Sequence, residues 1–327
     1  MNWNGKRVLV TGAGGFIGSH LTEELVRRGA TTRGFVHYNA LGTWGWLDQS
    51  ALKDEIEVIA GDIADRDSVK NAMEGVDVVF HLAALIAIPY SYRAPASYVR
   101  TNIEGTLNVV QAARELGTEK VVHTSTSETY GTALYVPIDE KHPLQGQSPY
   151  SASKIGADKI AESYYLSFDV PVVTVRPFNT FGPRQSARAV IPTIITQCLA
   201  GQNVSLGSLH PTRDMNYVAN TTDGFICAAA APEAVGKTVN LGSGREISIG
   251  DLAQVIINLI NPSLIVEADE ERMRPDKSEV NRLLADNHLA RELLKWEPKV
   301  SLEEGLSETI AWLEKNMSRY RPGVYVV

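Results

Sequence analysis

Tyr150-Ser151-Ala152-Ser153-Lys154 sets a phenol and an ammonium four residues apart, a spacing that on a helix puts both on one face. An ammonium beside a phenol favours the phenolate, which draws the phenol from a pKa of about 10 toward neutrality and makes it a base for a hydroxyl group. Such a spacing is common by chance, so its place in the chain matters. It follows Thr124-Ser125-Thr126, which reads as a strand end, and precedes Arg176-Pro177-Phe178-Asn179.

A second group of residues reads as an anion site. The run Val10-Thr11-Gly12-Ala13-Gly14-Gly15-Phe16-Ile17-Gly18-Ser19-His20 leaves an apolar strand and enters a helix. Glycines at 12, 15 and 18 allow a tight turn, bare backbone against a pyrophosphate and close helix–strand packing, and the helix N-terminus adds N–H groups and a positive dipole end. This is the context of a dinucleotide site. Gly61-Asp62-Ile63 follows the third strand, where Asp62 either accepts from an adenine amino group or caps the next helix. The second strand ends Gly34-Phe35-Val36-His37-Tyr38-Asn39. It offers no acid for ribose hydroxyls and no arginine for a 2′-phosphate, so NAD and NADP both stay open.

These residues need a scaffold, and the pattern supplies one. Apolar β-branched runs at Arg7–Val10, Gly34–His37, Val58–Ala60, Val78–Leu82, Val121–Thr124 and Val172–Val175 read as strands. Phe16–Arg28, Ser68–Met73, Ser97–Leu116 and Tyr150–Leu166 have helical spacing. That alternation predicts an α/β fold with a doubly wound parallel sheet. After Pro177 come loops and short helices, then a strand at Thr238–Leu241 and helices at Ile249–Ile260 and Leu302–Glu314. The expected division is residues 1–178 plus about 219–247 for the dinucleotide, and about 179–218 plus 248–327 for a smaller interleaved substrate lobe.

Bulk composition narrows the classes. With 327 residues, 44% hydrophobic and 21% charged, the chain has the balance of an ordinary globular protein. A net charge of -7 gives no footprint for nucleic acid, and anionic ligands must be held at discrete points. No run reaches the roughly 18–20 apolar residues of a membrane span, and the start shows no signal-peptide pattern. Cys198 and Cys227 have no metal-ligand spacing around them. No metal is expected, and the expected compartment is a reducing cytoplasm.

From the T-G-x-x-G-x-x-G pattern at Thr11 to Trp296-Glu297-Pro298, the chain resembles the extended short-chain dehydrogenase/reductases that act on nucleotide sugars. The resemblance implies a Rossmann-type sheet, a tightly held NAD or NADP, a nucleotide-diphosphate sugar as substrate and a homodimer. It maps a Thr/Ser, Tyr, Lys triad onto Thr126, Tyr150 and Lys154. It places cofactor contacts at Gly12, Gly15, Phe16, Ile17, His37, Asn39, Asp62, Ile63, Leu82, Ala83, Ala84, Thr124, Tyr150, Lys154 and Pro177. Substrate contacts are expected at Asn179, Arg188, Arg213 and Arg274, since a guanidinium fork suits a diphosphate.

Thr126-Ser127-Glu128 resembles the sugar 4,6-dehydratases within that family, whereas epimerases typically carry small residues where this chain has Glu128. A carboxylate is wanted because oxidation at C4 acidifies the C5 proton, and a base that removes it drives water from C6. Ser127 stands where other dehydratases have an aspartate. The overall pattern, including Arg274-Pro275-Asp276-Lys277-Ser278-Glu279-Val280, looks most like the N-acetylhexosamine dehydratases of legionaminic-type sugar synthesis. Those motifs are not base-specific, so GDP, UDP and dTDP sugars all stay open, with GDP- or UDP-N-acetylglucosamine the expected substrate. Two other readings stand beside this one: a 4-epimerase or 4-reductase on the same scaffold, and a non-catalytic NAD(P) sensor that retains the fold.

Overall fold

The computed structural model describes residues 1–273 and 275–324, with the side chain of Asp276 left aside. The chain runs β1 (Arg7–Thr11), α1 (Phe16–Arg27), β2 (Thr31–His37), β3 (Ile56–Gly61), α2 (Arg66–Met73), β4 (Val78–His81), α3 (Ile88–Arg93), α4 (Pro95–Tyr98), α5 (Gly105–Leu116), β5 (Lys120–Thr124), α6 (Pro149–Phe168) and β6 (Val172–Pro177). There follow β7 (Asn179–Phe181), α7 (Val190–Leu199), β8 (Val204–Leu206), β9 (Thr212–Tyr217), α8 (Val218–Ala230), β10 (Thr238–Leu241), β11 (Glu246–Ser248), α9 (Ile249–Ile260), β12 (Val266–Ala268) and α10 (Leu302–Asn316).

Strands β4 and β6 are buried along their whole length, which is why they open on consecutive apolar residues, Val78–Phe80 and Val172–Val173, rather than alternating ones. Seven strands form one sheet in the order β10-β6-β5-β4-β1-β2-β3, with every pairing parallel. The chain winds outward from β1 to β3 and then back from β4 to β10. The order therefore reverses between β1 and β4, and a crevice opens beyond their carboxyl ends.

The smaller lobe carries a three-stranded sheet, β11-β9-β7, and a two-stranded one, β12-β8. Its core joins Ile191, Ile194 and Ile195 of α7 to Leu252, Ile256 and Ile257 of α9 and Leu306 and Leu313 of α10. Ala290, Leu294 and Trp296 fall in the sequence division's smaller lobe, yet they pack in the core of the large sheet with Phe225 and Ile226 of α8. Trp296 is 2% exposed and donates from Nε1 to the Asn220 carbonyl at 3.1 Å. The chain thus returns to the large lobe once more than periodicity shows.

One predicted helix is interrupted. Ser97–Leu116 is wound wider over Val99–Glu104, a departure that needs side-chain support. Asn102 supplies it: its Oδ1 accepts from Leu85 N at 2.9 Å, and its Nδ2 donates to Leu85 O at 3.0 Å and to Ser153 Oγ at 2.9 Å. The loop after β4 is thereby tied to α6. No helix among the described residues is long and apolar enough to cross a membrane.

Candidate active site

The glycine turn has the backbone that the sequence demands. Gly12 has φ +72°, and a Cβ there would stand 2.9 Å from Ala83 N. At Gly18 a Cβ would meet the Gly12 carbonyl oxygen at 2.2 Å, so α1 lies flush on the turn. Gly15 heads α1 with no side chain capping it and no acidic residue in the first turn. The helix N-terminus is left to an anion. Thr11 Oγ1 accepts from Leu82 N and Ala83 N at 3.1 and 3.0 Å, joining the exits of β1 and β4.

The crevice is a cleft of about 880 Å³ lined by this turn, by the ends of β2, β4, β5 and β6, and by residues of the smaller lobe. Thr124 Oγ1 and Asn179 Oδ1 are buried with no hydrogen-bond partner among the described residues, and both residues line the cleft. Orphaned polar atoms and an uncapped helix N-terminus on the walls of one cleft fit a ligand that is polar along its length and anionic where it meets α1.

The catalytic candidates are held by two short-range devices. Ser148 accepts from Ser151 N at 3.1 Å while Ser151 Oγ accepts from Ser148 N at 3.0 Å, and Pro149 takes the first turn of α6. This capping box sets Tyr150 and Lys154 at the helix start. Thr126 caps the turn Ser127–Tyr130, its hydroxyl accepting from Glu128 N at 3.3 Å. Thr126, Ser127, Glu128, Tyr150 and Lys154 all line the same cleft.

The electrostatics differ from the sequence expectation. Burial pushes the Tyr150 phenol above its ordinary range; the Thr126 hydroxyl acts the other way, and the nearby charge of Glu128 adds to the rise. Burial also lowers Lys154 to about 8, with Asp158 opposing. The lysine ammonium donates to the Thr124 carbonyl at 2.5 Å. Desolvation penalises both the phenolate and the ammonium, and here it outweighs the attraction that sequence spacing suggests.

Residues 9–309 match the family model described as GDP-mannose 4,6 dehydratase. The chain belongs to this family of extended short-chain dehydrogenase/reductases. It is 33% identical over 311 residues to the UDP-glucose 4-epimerase of Mycolicibacterium smegmatis, covering 93% of this chain and 97% of that one. It is 32% identical over 334 residues to the dTDP-D-glucose 4,6-dehydratase of Mus musculus, covering 97% and 91%. The dTDP-glucose 4,6-dehydratase of Streptomyces venezuelae, solved with NAD bound, superposes with a TM-score of 0.87 at 28% identity, covering 96% of this chain and 99% of that one. The Rossmann-type fold is shared, while relatives at similar identity carry different activities.

Within this short-chain dehydrogenase/reductase, Gly12, Gly15, Phe16, Ile17, His37, Asn39, Leu82, Ala83, Ala84, Thr124 and Pro177 come together on the cleft wall, as do Asn179, Arg188 and Arg213. Asp62 and Ile63 do not line it. Asp62 Oδ1 accepts from Ala64 N at 2.9 Å in a local turn, and the cap of α2 is Asp65, which accepts from Ser68 N at 2.7 Å. Ile63 is buried against Gly105 of α5. Asn39 organises its own loop, accepting from Leu41 N, Thr43 N and Thr43 Oγ1 and donating to Thr43 O at 2.8 Å. Arg213 is buried and contacts Glu279 at 3.3 Å. Arg188 is exposed at the rim, and Arg274 lies outside the described residues.

Sequence inspection missed what stands behind the wall. His81 bridges Thr11 Oγ1 at 2.9 Å and Thr106 Oγ1 at 3.1 Å, and burial holds it well below its usual pKa. Asp158 gathers His123, Ser125 and Arg176. The spacing of Asp158 from Lys154, one helical turn on the same face, is the signal that was legible. Asn102 carried none, because a wide helical turn has no pattern of its own.

Proposed function

We propose that this enzyme uses NAD or NADP to dehydrate a nucleotide-linked hexose to its 4-keto-6-deoxy sugar, with GDP- or UDP-N-acetylglucosamine preferred. The observation that carries the reading is Glu128. Its carboxylate belongs to the cleft wall and acts on the Tyr150 phenol, so a second base stands beside the one that serves C4. NAD in a relative's solved structure and the fit of the glycine turn support the cofactor, which when bound accepts a hydride from C4 and returns it to C6.

In this reading Tyr150 takes the proton of the C4 hydroxyl, and Lys154 holds the nicotinamide ribose. Glu128 then removes the C5 proton, made acidic by the adjacent ketone, while the C6 hydroxyl takes a proton relayed through a water at Ser127 and departs as water. Ser127 orients a water or the C6 hydroxyl. Thr126 steers the phenol. Arg213, Arg188 and Asn179 contact the diphosphate, and the sequence pattern adds Arg274 to that role. The protein is proposed to act as a homodimer in the cytoplasm.

The test is Glu128→Gln, which keeps shape and hydrogen bonding but removes basicity. The variant is expected to reduce cofactor with a nucleotide sugar yet stall before water is lost, with dehydration down by about 10²–10⁴-fold. In deuterated water the wild type is expected to yield a 4-keto-6-deoxy sugar deuterated at C5, read by mass spectrometry and NMR. Wild-type dehydration by Glu128→Gln sinks the reading. The 33% identity to a UDP-glucose 4-epimerase supports a second reading on the same Tyr150 and Lys154, and a wild-type product that is only a C4 epimer selects it.

A further inference from the structure

Directly behind Lys154 lies a polar construction that the cleft chemistry leaves unused. Asp158 follows Lys154 by four residues on α6, so the two side chains leave the helix on one face with Cβ atoms about 5–6 Å apart. Asp158 is 5% exposed and both its oxygens are engaged. Oδ1 accepts from His123 Nε2 at 3.0 Å, and Oδ2 accepts from Ser125 Oγ at 2.6 Å and from Arg176 Nη2 at 2.8 Å.

Those donors come from two neighbouring strands at their carboxyl ends. Between His123 and Ser125 stands Thr124, whose carbonyl receives the Lys154 ammonium. The carboxylate therefore grips the chain on both sides of the residue that receives the lysine. Arg176 also lies over the Tyr130 ring, 4.7 Å from its centroid, which fixes the turn carrying Glu128 to the same cluster.

The charges around Lys154 single out Asp158. His81 of β4, His123 of β5 and Asp158 of α6 are coupled to Lys154 itself, whereas Arg176 of β6 is paired with Asp158, and Glu128 of the turn after β5 and Tyr98 of α4 act on Tyr150. Burial keeps both histidines below their ordinary range, and Arg176 already belongs to Asp158. A lysine taken out of water loses its proton readily unless a countercharge stands near, and Asp158 is the carboxylate that opposes that loss.

We propose that Asp158 is a positioning residue that keeps Lys154 protonated behind the cofactor cleft and holds the Thr124 carbonyl in place to receive it. The proposal rests on Lys154 serving as the partner of Tyr150.

Its direct test is the pH dependence of Lys154 labelling by dinitrofluorobenzene, followed by peptide mass spectrometry on the full-length protein, since only the neutral amine reacts. In Asp158→Asn the labelling midpoint is expected to fall by at least about one pH unit, a roughly tenfold loss of proton affinity. Ser125→Ala removes two hydrogen bonds, one donated to Asp158 and one accepted from Arg176, and no charge, and its midpoint is expected to stay at the wild-type value. Because Asp158→Asn strands a buried guanidinium, the double variant Asp158→Asn/Arg176→Met removes the pair together and is expected to show a smaller fall in the same direction, since a cation leaves with the carboxylate. A midpoint unmoved in the single variant, or in the double variant where the single one does not fold, overturns the proposal; so does an equal fall in Ser125→Ala. Labelling needs no sugar, so a wild type that oxidises no nucleotide sugar sinks the dehydratase reading while the midpoints still decide this one.

Discussion

Tyr150 and Lys154 share a helix face, and both are desolvated, the phenol pushed up and the lysine down to about 8. Near neutral pH each is therefore in its usual protonation state, phenol and ammonium, so Tyr150 must lose its own proton before it can take that of the C4 hydroxyl. Removing the phenolic oxygen alone is the clean probe. Tyr150→Phe is expected to lower C4 oxidation by at least about 10²–10⁴-fold while dinucleotide binding is kept, and Lys154→Ala is expected to damage both. Reduced-cofactor absorbance and a binding titration read the two effects, and near-normal turnover by Tyr150→Phe would remove the proposed base. The sign of the pH dependence follows from Lys154. Its charge is present below about 8 and is lost as pH rises through that value, so oxidation is expected to decline on the alkaline side, and earlier in Asp158→Asn.

At the scale of elements, two helix starts do the placing. α1 begins on a turn with no room for a side chain at Gly18, and α6 begins with a serine box and a proline that leave little freedom in where Tyr150 falls. The first is the sharper test. Gly18→Ala would drive a methyl group to 2.2 Å from the Gly12 carbonyl oxygen, so α1 must back away from the turn. Overpacking of that kind costs about 1–3 kcal/mol. Because the shift opens the pyrophosphate cradle, dinucleotide affinity is expected to fall by at least about tenfold, more than the loss of thermal stability alone accounts for. Unchanged affinity by titration calorimetry would mean that the dinucleotide does not bind at this turn.

For the molecule as a whole, the cleft is built from both lobes, with the cofactor turn on the large one and Arg213 on the small one. A dehydratase returns the hydride it has taken and completes its cycle without exchanging cofactor. The purified protein is therefore expected to carry a bound dinucleotide, seen by mass analysis of the supernatant after denaturation. If neither fresh nor cofactor-soaked protein holds one, the cofactor assignment fails.

The sequence by itself determined the local decisions. Apolar β-branched runs and period-3.6 patterns, with the glycines after the first strand, placed the strands and helices of the large lobe and the glycine turn, and residue type and spacing marked the Tyr150–Lys154 and Thr126–Glu128 groups. Each depends on residues a few positions apart. Tertiary structure decided what depends on distance through space. It returned Trp296 to the large lobe's core, turned Asp62 into a local loop, and wound Val99–Glu104 around the reach of Asn102. It also reversed the expected pKa shift of Tyr150 and set Asp158 behind Lys154 against β5 and β6. Apart from the Asp62 turn, whose bond to Ala64 is local, the physical reason is common: burial and long-range hydrogen bonds are properties of neighbours brought together by packing, and no short window of sequence contains them.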